Sequence, residues 1–228
     1  MKVRLGIALL AMMGTGVVLA QDTTSEKGKL SYAVGYEIGK DFTERKIDID
    51  VNTVIRAIQD GYGKRPPAVA EEQMRAALEQ MQTKMVAEAR AEFEKVAREN
   101  KTKSDQFLAQ NRGKSGIVAL PSGLQYRVIE EGTGGRPAAS SQVKVHFRGS
   151  LYSGQEFANT YQGASPQPLT MRVSEAPLQG LQDALPLMKA GSRWELYLPA
   201  ELAYGDSPRS PVGPNQAVVF DVRLVEVN

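Results

Sequence analysis

The chain has no cysteine and a single histidine, His146, in 228 residues. Without cysteine there is no disulfide, no thiolate nucleophile and no Cys-based metal site. One histidine cannot build a multi-His metal centre, and it leaves Ser-His catalysis without support. In an alternating segment such as Val143–Gly149, His146 is expected to be a packed or edge residue. No excess of charge is present either: 28 basic residues face 26 acidic ones. That balance calls for neither nucleic acid nor an anionic membrane as partner. The carboxylate pairs Glu71-Glu72 and Glu130-Glu131 are adjacent in sequence, so in regular structure they diverge, and they read as solvated surface. Gly132-Thr133-Gly134-Gly135 lacks the lysine of a phosphate loop and leads into Arg136-Pro137 rather than a helix, which excludes a nucleotide cradle. No repeat or low-complexity tract occurs. What the chain does, it does without metal, cofactor or nucleophilic chemistry.

Lys2 and Arg4 precede an apolar run from Leu5 to Leu19 that ends in Val18-Leu19-Ala20. This is the pattern of a secretory signal, residues 1–20, cut after Ala20. The run is short for a membrane anchor and contains three glycines. No cysteine follows it for lipid attachment. A periplasmic or secreted location is expected, association with the outer membrane included, with no stable membrane insertion once the signal is removed. The remaining roughly 200 residues suit one or two domains.

Residues 21–68 read as a helical region. Thr23–Asp41 looks helical, and Leu30, Val34, Ile38 and Phe42 recur every fourth residue on one stripe. Gly35 and Gly39 share a face one turn apart, each costing up to about 1 kcal/mol against alanine, which a close helix approach would explain. Asp50–Tyr62 forms a second helix, with Val54, Ile55 and Ile58 as its apolar side, stopped by Gly61, Gly63 and Pro66-Pro67. Residues 69–112 hold one long connecting helix, Ala70–Asn111, free of Pro and Gly and about 60 Å long. Its stripe of Met74, Leu78, Met81, Met85, Ala89, Phe93 and Val96 stops there. Lys101–Gln106 is polar all round and suits a solvated stalk. Glu71–Arg75, Glu94–Arg98 and Glu99–Lys103 are expected i,i+4 pairs. From residue 113 the pattern changes. Alternating strands are expected at Leu124–Ile129, Val143–Leu151, Gln155–Phe157, Leu169–Val173, Trp194–Leu198 and Ala217–Val227. One helix, Leu178–Met188, must end or kink at Pro186. The fold class is α+β: an all-helical N-terminal region, a long connecting helix, and an antiparallel sheet wrapped on one short helix.

The most specific signal is Trp194-Glu-Leu-Tyr-Leu-Pro-Ala-Glu-Leu-Ala-Tyr204-Gly205, then a Pro-rich loop, then Ala217-Val-Val-Phe220-Asp-Val222. Together with Val143-Lys-Val-His-Phe147-Arg-Gly149, these residues resemble the FKBP-type peptidyl-prolyl cis-trans isomerases. The resemblance covers residues 121–228. It extends over the mature chain when the comparison is with the bacterial macrophage infectivity potentiator (Mip) group.

The resemblance implies an isomerase domain at 113–228 and a homodimer formed through the N-terminal helices. Unfolded or partly folded proline-containing polypeptides are the implied partners, and a macrolide is a second implied ligand of the same pocket. Carried over residue by residue, it makes Tyr204 the hydroxyl donor to a substrate carbonyl, with Phe157 and Phe220 as side walls. Phe147, Ala158, Leu169, Leu178, Leu181 and Pro211 complete the substrate site. Leu178 stands where the family's backbone N–H meets substrate. Two positions depart from the pattern. The family's Phe-Asp is Phe157-Ala158 here, and its floor Trp is Leu181. The segment Glu175–Gly180 also differs in length, which leaves the match at Pro177 and Leu178 open by one residue. The implied function is prolyl isomerisation assisting the folding of exported proteins, weakened by these two replacements. The alternative is a chaperone or binding module that keeps the fold and has lost catalysis.

Overall fold

The structure is a computed structural model and describes residues 22–163 and 165–228. The expected signal peptide lies outside the described residues. The chain divides into two compact units, Met1–Arg75 and Ala76–Asn228.

In the first unit, helix α1 spans Glu26–Glu44. Ser25 caps it by accepting from the Gly28 N–H at 3.0 Å, which satisfies one of the orphan donors of the first turn. Helix α2, Val51–Tyr62, is capped in the same way by Asp50, which accepts from the Thr53 N–H at 2.6 Å. The expected apolar stripe of α1 is present but uncovered, with Leu30 67%, Val34 54% and Ile38 39% exposed. A Cβ placed on Gly35 or Gly39 would meet no described atom within 4 Å. The close helix approach anticipated there is therefore not made by any described part of this chain.

Helix α3 runs over Glu71–Arg112, uninterrupted as its sequence demands. Its i,i+4 ion pairs include Lys84–Glu88, Arg90–Glu94 and Lys101–Asp105; the three expected pairs do not form. The second unit continues with seven antiparallel strands: β1 Ile117–Ala119, β2 Gln125–Glu130, β3 Gln142–Leu151, β4 Glu156–Asn159, β5 Leu169–Arg172, β6 Arg193–Leu198 and β7 Val218–Val227. Their order is β1-β2-β6-β7-β3-β4, with β5 on the other half of β3. Alternation gives the sheet two faces. Trp194, Leu196, Leu198, Val218, Phe220, Val222 and Leu224 point into the main core, where they meet Leu181, Ala184 and Leu185. Helix α4, Gln179–Ala184, supplies that layer and passes into a 3-10 turn, Leu185–Leu187, at Pro186. The approach is close at Gly180, where a Cβ would fall 2.4 Å from Leu198 Cδ2.

The last third of α3 lies on the opposite face of the sheet. Leu108 packs with Tyr197 and Ala217, flanked by Phe107, Ile117 and Val219. Ser104 and Asn111 are buried. Asn111 Nδ2 donates to Gln125 Oε1 at 3.1 Å, and Gln125 Nε2 donates to the Leu108 carbonyl at 2.9 Å. This corrects the expectation of a segment solvated all round at one residue of Lys101–Gln106: Ser104 is buried, while the other five are exposed as expected. The polar residues on one side of that segment are interface residues whose hydrogen bonds are made to the sheet and its loops. Most buried polar groups are paired in this way, although Asn111 Oδ1 itself has no partner among the described residues.

Candidate functional site

Three strands and one turn bring the aromatic residues together. Phe147 comes from the middle of β3, Phe157 from β4, Phe220 from β7, and Tyr204 from the turn after β6. Phe157 meets Phe220 edge-on at 5.8 Å and Tyr204 edge-on at 5.8 Å; Phe147 meets Phe220 at 5.7 Å. Such T-shaped pairs are the favoured arrangement of aromatic quadrupoles. Phe220 is buried, while Phe147, Phe157 and Tyr204 are partly open and pack against the main core.

The β3–β4 pairing explains how two consecutive residues can face the same site. Gly149 pairs with Ala158 and Ser150 with Glu156, so Phe157 is the extra residue of a bulge. Cross-strand partners share a face, which puts Ala158 on the Gly149 side. Phe157 is on that side too, because a Cβ on Gly149 would lie 3.0 Å from its Cζ. Thr160 pins the end of β4. Its Oγ1 accepts from the Phe147 N–H at 2.8 Å, and its own N–H donates to the Phe147 carbonyl at 3.0 Å.

Two donors of this domain are unspent. The Tyr204 hydroxyl bonds to no described residue, and burial pushes its pKa upward, so it stays a neutral donor at physiological pH. Leu178 is the N-cap residue of α4. Its carbonyl accepts from the Leu181 and Gln182 N–H groups, while its own N–H has no acceptor among the described residues. Backbone donors are almost always paired in folded proteins, which makes a free one informative. Leu178 and Leu181 are both 4% exposed and belong to the same core cluster.

Two of the expected residues are exposed. Leu169 pairs with Val145 at the start of β5 and is 43% exposed. Pro211 is exposed in the loop between Gly205 and Ala217. Trp194 stacks on Tyr126 at 4.3 Å within the core and has no part in the aromatic group. Among the described residues no cluster of His, Asp and Glu could hold a metal ion. His146 stacks on Tyr161 at 4.5 Å and touches Thr160 Oγ1 through Nδ1, the packing role its strand position suggested.

Comparison with known proteins gives this arrangement its family. Residues 27–128 match the domain amino terminal to FKBP-type peptidyl-prolyl isomerase, and residues 134–225 match the FKBP-type peptidyl-prolyl cis-trans isomerase family. The chain belongs to the FKBP-type peptidyl-prolyl isomerase family. The outer membrane protein MIP of Legionella longbeachae is 42% identical over 96% of this chain and 95% of its own. The peptidyl-prolyl cis-trans isomerase Mip of Coxiella burnetii is 34% identical over 95% of this chain and 93% of its own. Among solved structures, FkpA from Escherichia coli superposes with a TM-score of 0.71 at 28% identity, over 90% of this chain and 98% of that one. The helical N-terminal part, the long helix and the sheet with its short helix are those of this FKBP-type group.

Proposed function

We propose that this chain catalyses cis-trans isomerisation of X-Pro bonds in unfolded or partly folded exported polypeptides, at a rate lowered by Ala158 and Leu181, with Tyr204, Phe157 and Phe220 as the residues that touch the reacting amide. The observation that carries this reading is the aromatic group of Phe147, Phe157, Phe220 and Tyr204, with the Tyr204 hydroxyl unspent. Rotation about a prolyl amide faces a barrier of about 18–20 kcal/mol because conjugation is lost at the twisted geometry. No bond breaks and no proton moves. A dry aromatic wall favours the twisted amide, which is less polar than the planar one. The Tyr204 hydroxyl and the Leu178 N–H then hold flanking substrate carbonyls. A reduction of about 4 kcal/mol corresponds to roughly a thousandfold. Phe147, Ala158, Leu178 and Leu181 would bound the proline ring, with Leu169 and Pro211 nearer the rim. The same apolar site would accept a macrolide. Relatives named as peptidyl-prolyl isomerases support the reading.

The chain works as a homodimer in this proposal. Support comes from the uncovered Leu30–Val34–Ile38 stripe, from Ile55 and Ile58 at 49% and 56% exposed, and from the open Gly35/Gly39 face. Export to the periplasm or cell surface is supported by the N-terminal pattern and by the relative named as an outer membrane protein. Among the described residues no helix is long and apolar enough to cross a membrane. Division into a helical region 21–68, a connecting helix 69–112 and an isomerase domain 113–228 completes the proposal.

A prolyl tetrapeptide assay tests it. Isomerisation should accelerate in proportion to protein concentration, and Phe157→Ala should abolish most of the effect. Absence of acceleration by folded wild type overturns the catalytic reading. A second reading, a binding module without catalysis, is favoured by one observation: Ala158 places a methyl where the family has a carboxylate. It would suppress aggregation of an unfolded client while leaving the isomerisation rate untouched.

A further inference from the structure

The loop between Gly205 and Ala217 begins beside Tyr204, yet its far end is held by helix α3. Asn100 Nδ2 donates to the Pro214 carbonyl at 2.9 Å. Ser104 Oγ donates to the Asn215 carbonyl at 3.0 Å and accepts from the Ala217 N–H at 2.8 Å. Asn215 returns the contact, its Nδ2 donating to the Ala97 carbonyl at 3.3 Å. Asn215 has φ +54°, a left-handed conformation that asparagine tolerates better than other non-glycine residues. In that conformation its own N–H donates to the Gly205 carbonyl at 2.8 Å, and the Gly205 N–H donates to the Ala200 carbonyl at 2.8 Å. An unbroken run of hydrogen bonds therefore leads from the helix through Asn215 to the residue next to Tyr204. Ser104 is 3% exposed, and both its donor and its acceptor are used on this loop.

We propose that Asn100 and Ser104, acting through Asn215, are positioning residues for Tyr204 and the 205–216 loop, so that the long helix is a working part of the prolyl site rather than a tether to it. The inference rests on the reading of Tyr204 as a donor to substrate. A hydroxyl that holds a substrate carbonyl must keep its place against the edge of Phe157. The turn that carries Tyr204 has no strand partner of its own, and the main chain on its loop side is fixed by the contact between Gly205 and Asn215. The sequence Asn100-Lys-Thr-Lys-Ser104 places the two residues four apart, on one helical face, with Ala97, Leu108 and Asn111 above and below them.

The experiment uses the full mature chain. Ser104→Ala, Asn100→Ala and Asn215→Gly are compared with Arg98→Ala, an exposed change on the same helix. Two quantities are read: kcat/KM on a prolyl tetrapeptide, and amide exchange at Gly205 and Asn215. Ser104→Ala and Asn215→Gly should lower kcat/KM roughly three- to tenfold, the scale of one or two lost hydrogen bonds. The loss should shrink in a Tyr204→Phe background, because it acts through that hydroxyl. Exchange at both amides should quicken, and Arg98→Ala should change neither quantity. If Ser104→Ala does not fold, Asn215→Gly carries the test, since glycine accepts the same φ. Folded variants with wild-type kcat/KM and wild-type exchange overturn the proposal, as does an equal loss with and without the Tyr204 hydroxyl. Should wild type itself show no isomerase activity, the catalytic reading falls, and the exchange data alone decide whether α3 holds the loop.

Discussion

Gly149→Ala strikes the candidate site at its most crowded point. The glycine is not in the left-handed region, so its backbone would accept alanine. Its space would not. The new Cβ would sit 2.8 Å from Phe220 Cε1, and 3.0 and 3.1 Å from Phe157 Cζ and Cε2. Carbon atoms in good contact lie about 3.5–4.0 Å apart, so the methyl is too close to both rings by about half an ångström or more. Aromatic rings cannot bend away; Phe157 and Phe220 must shift as bodies. Overpacking of this kind costs about 1–3 kcal/mol. The lower unfolded-state entropy of alanine offsets about 0.4–1 kcal/mol of that. A net loss of about 1–2 kcal/mol in urea unfolding is expected. Displaced walls should also lower kcat/KM on a prolyl tetrapeptide roughly tenfold in the folded variant. If Gly149→Ala unfolds at the wild-type urea concentration and isomerises at the wild-type rate, Phe157 and Phe220 do not meet over Gly149, and the site described above is wrong.

Restoring the two departed positions with Ala158→Asp and Leu181→Trp should raise isomerase activity roughly ten- to a hundredfold, with some loss of thermal stability from the larger ring; a folded double variant with no gain would remove these positions from the site. Gly39→Leu should leave α1 helical by circular dichroism, since no described residue occupies that space, but should halve the mass seen by light scattering if the face meets a second copy. Because burial raises the Tyr204 pKa above its usual 10.0, this residue's stabilising effect is complete below about pH 10, where folded and unfolded forms are both neutral. It is lost as the pH rises from there toward the folded value. Tyr204→Phe should therefore flatten the alkaline arm of the stability profile and leave its shape between pH 6 and 9 unchanged. The exposed Glu226 carboxyl is held below its usual 4.5 by the hydrogen bond and charge of Lys144, so the small contribution of that pair is present above about pH 4.5 and lost as the pH falls through the lower folded value. Lys144→Ala should reduce stability slightly at pH 7 and not at pH 2.

Strict alternation made β3, β6 and β7 legible, because each buries one face against a helix and exposes or half-covers the other. The stop at Pro186 was legible for a covalent reason, the missing N–H. The aromatic residues could be picked from family resemblance, but the pairing that brings Phe157 and Ala158 to one side could not. It depends on a bulge, and a bulge is a property of two strands together. Strand β1, three residues long, carries too little pattern to be seen. The largest departure is the end of α3. Asn100, Ser104 and Asn111 look like solvated residues when hydrophobicity alone is followed. They are interface residues because their partners are backbone carbonyls, an amide N–H and one glutamine. A clue was available in the spacing Ala97, Ser104, Leu108, Asn111, which continues one helical face beyond Val96 in small and amide side chains instead of large apolar ones.

The proposed activity is the turning of prolyl bonds by this aromatic group. It is tested most directly by the refolding rate of a protein whose folding is limited by a trans-to-cis prolyl step, measured with increasing amounts of the mature wild-type chain. The rate should rise linearly with the amount added, with a slope that Phe157→Ala reduces at least tenfold, the scale of a lost transition-state contact. A slope of zero for the folded wild type, or an unchanged slope for Phe157→Ala, contradicts it.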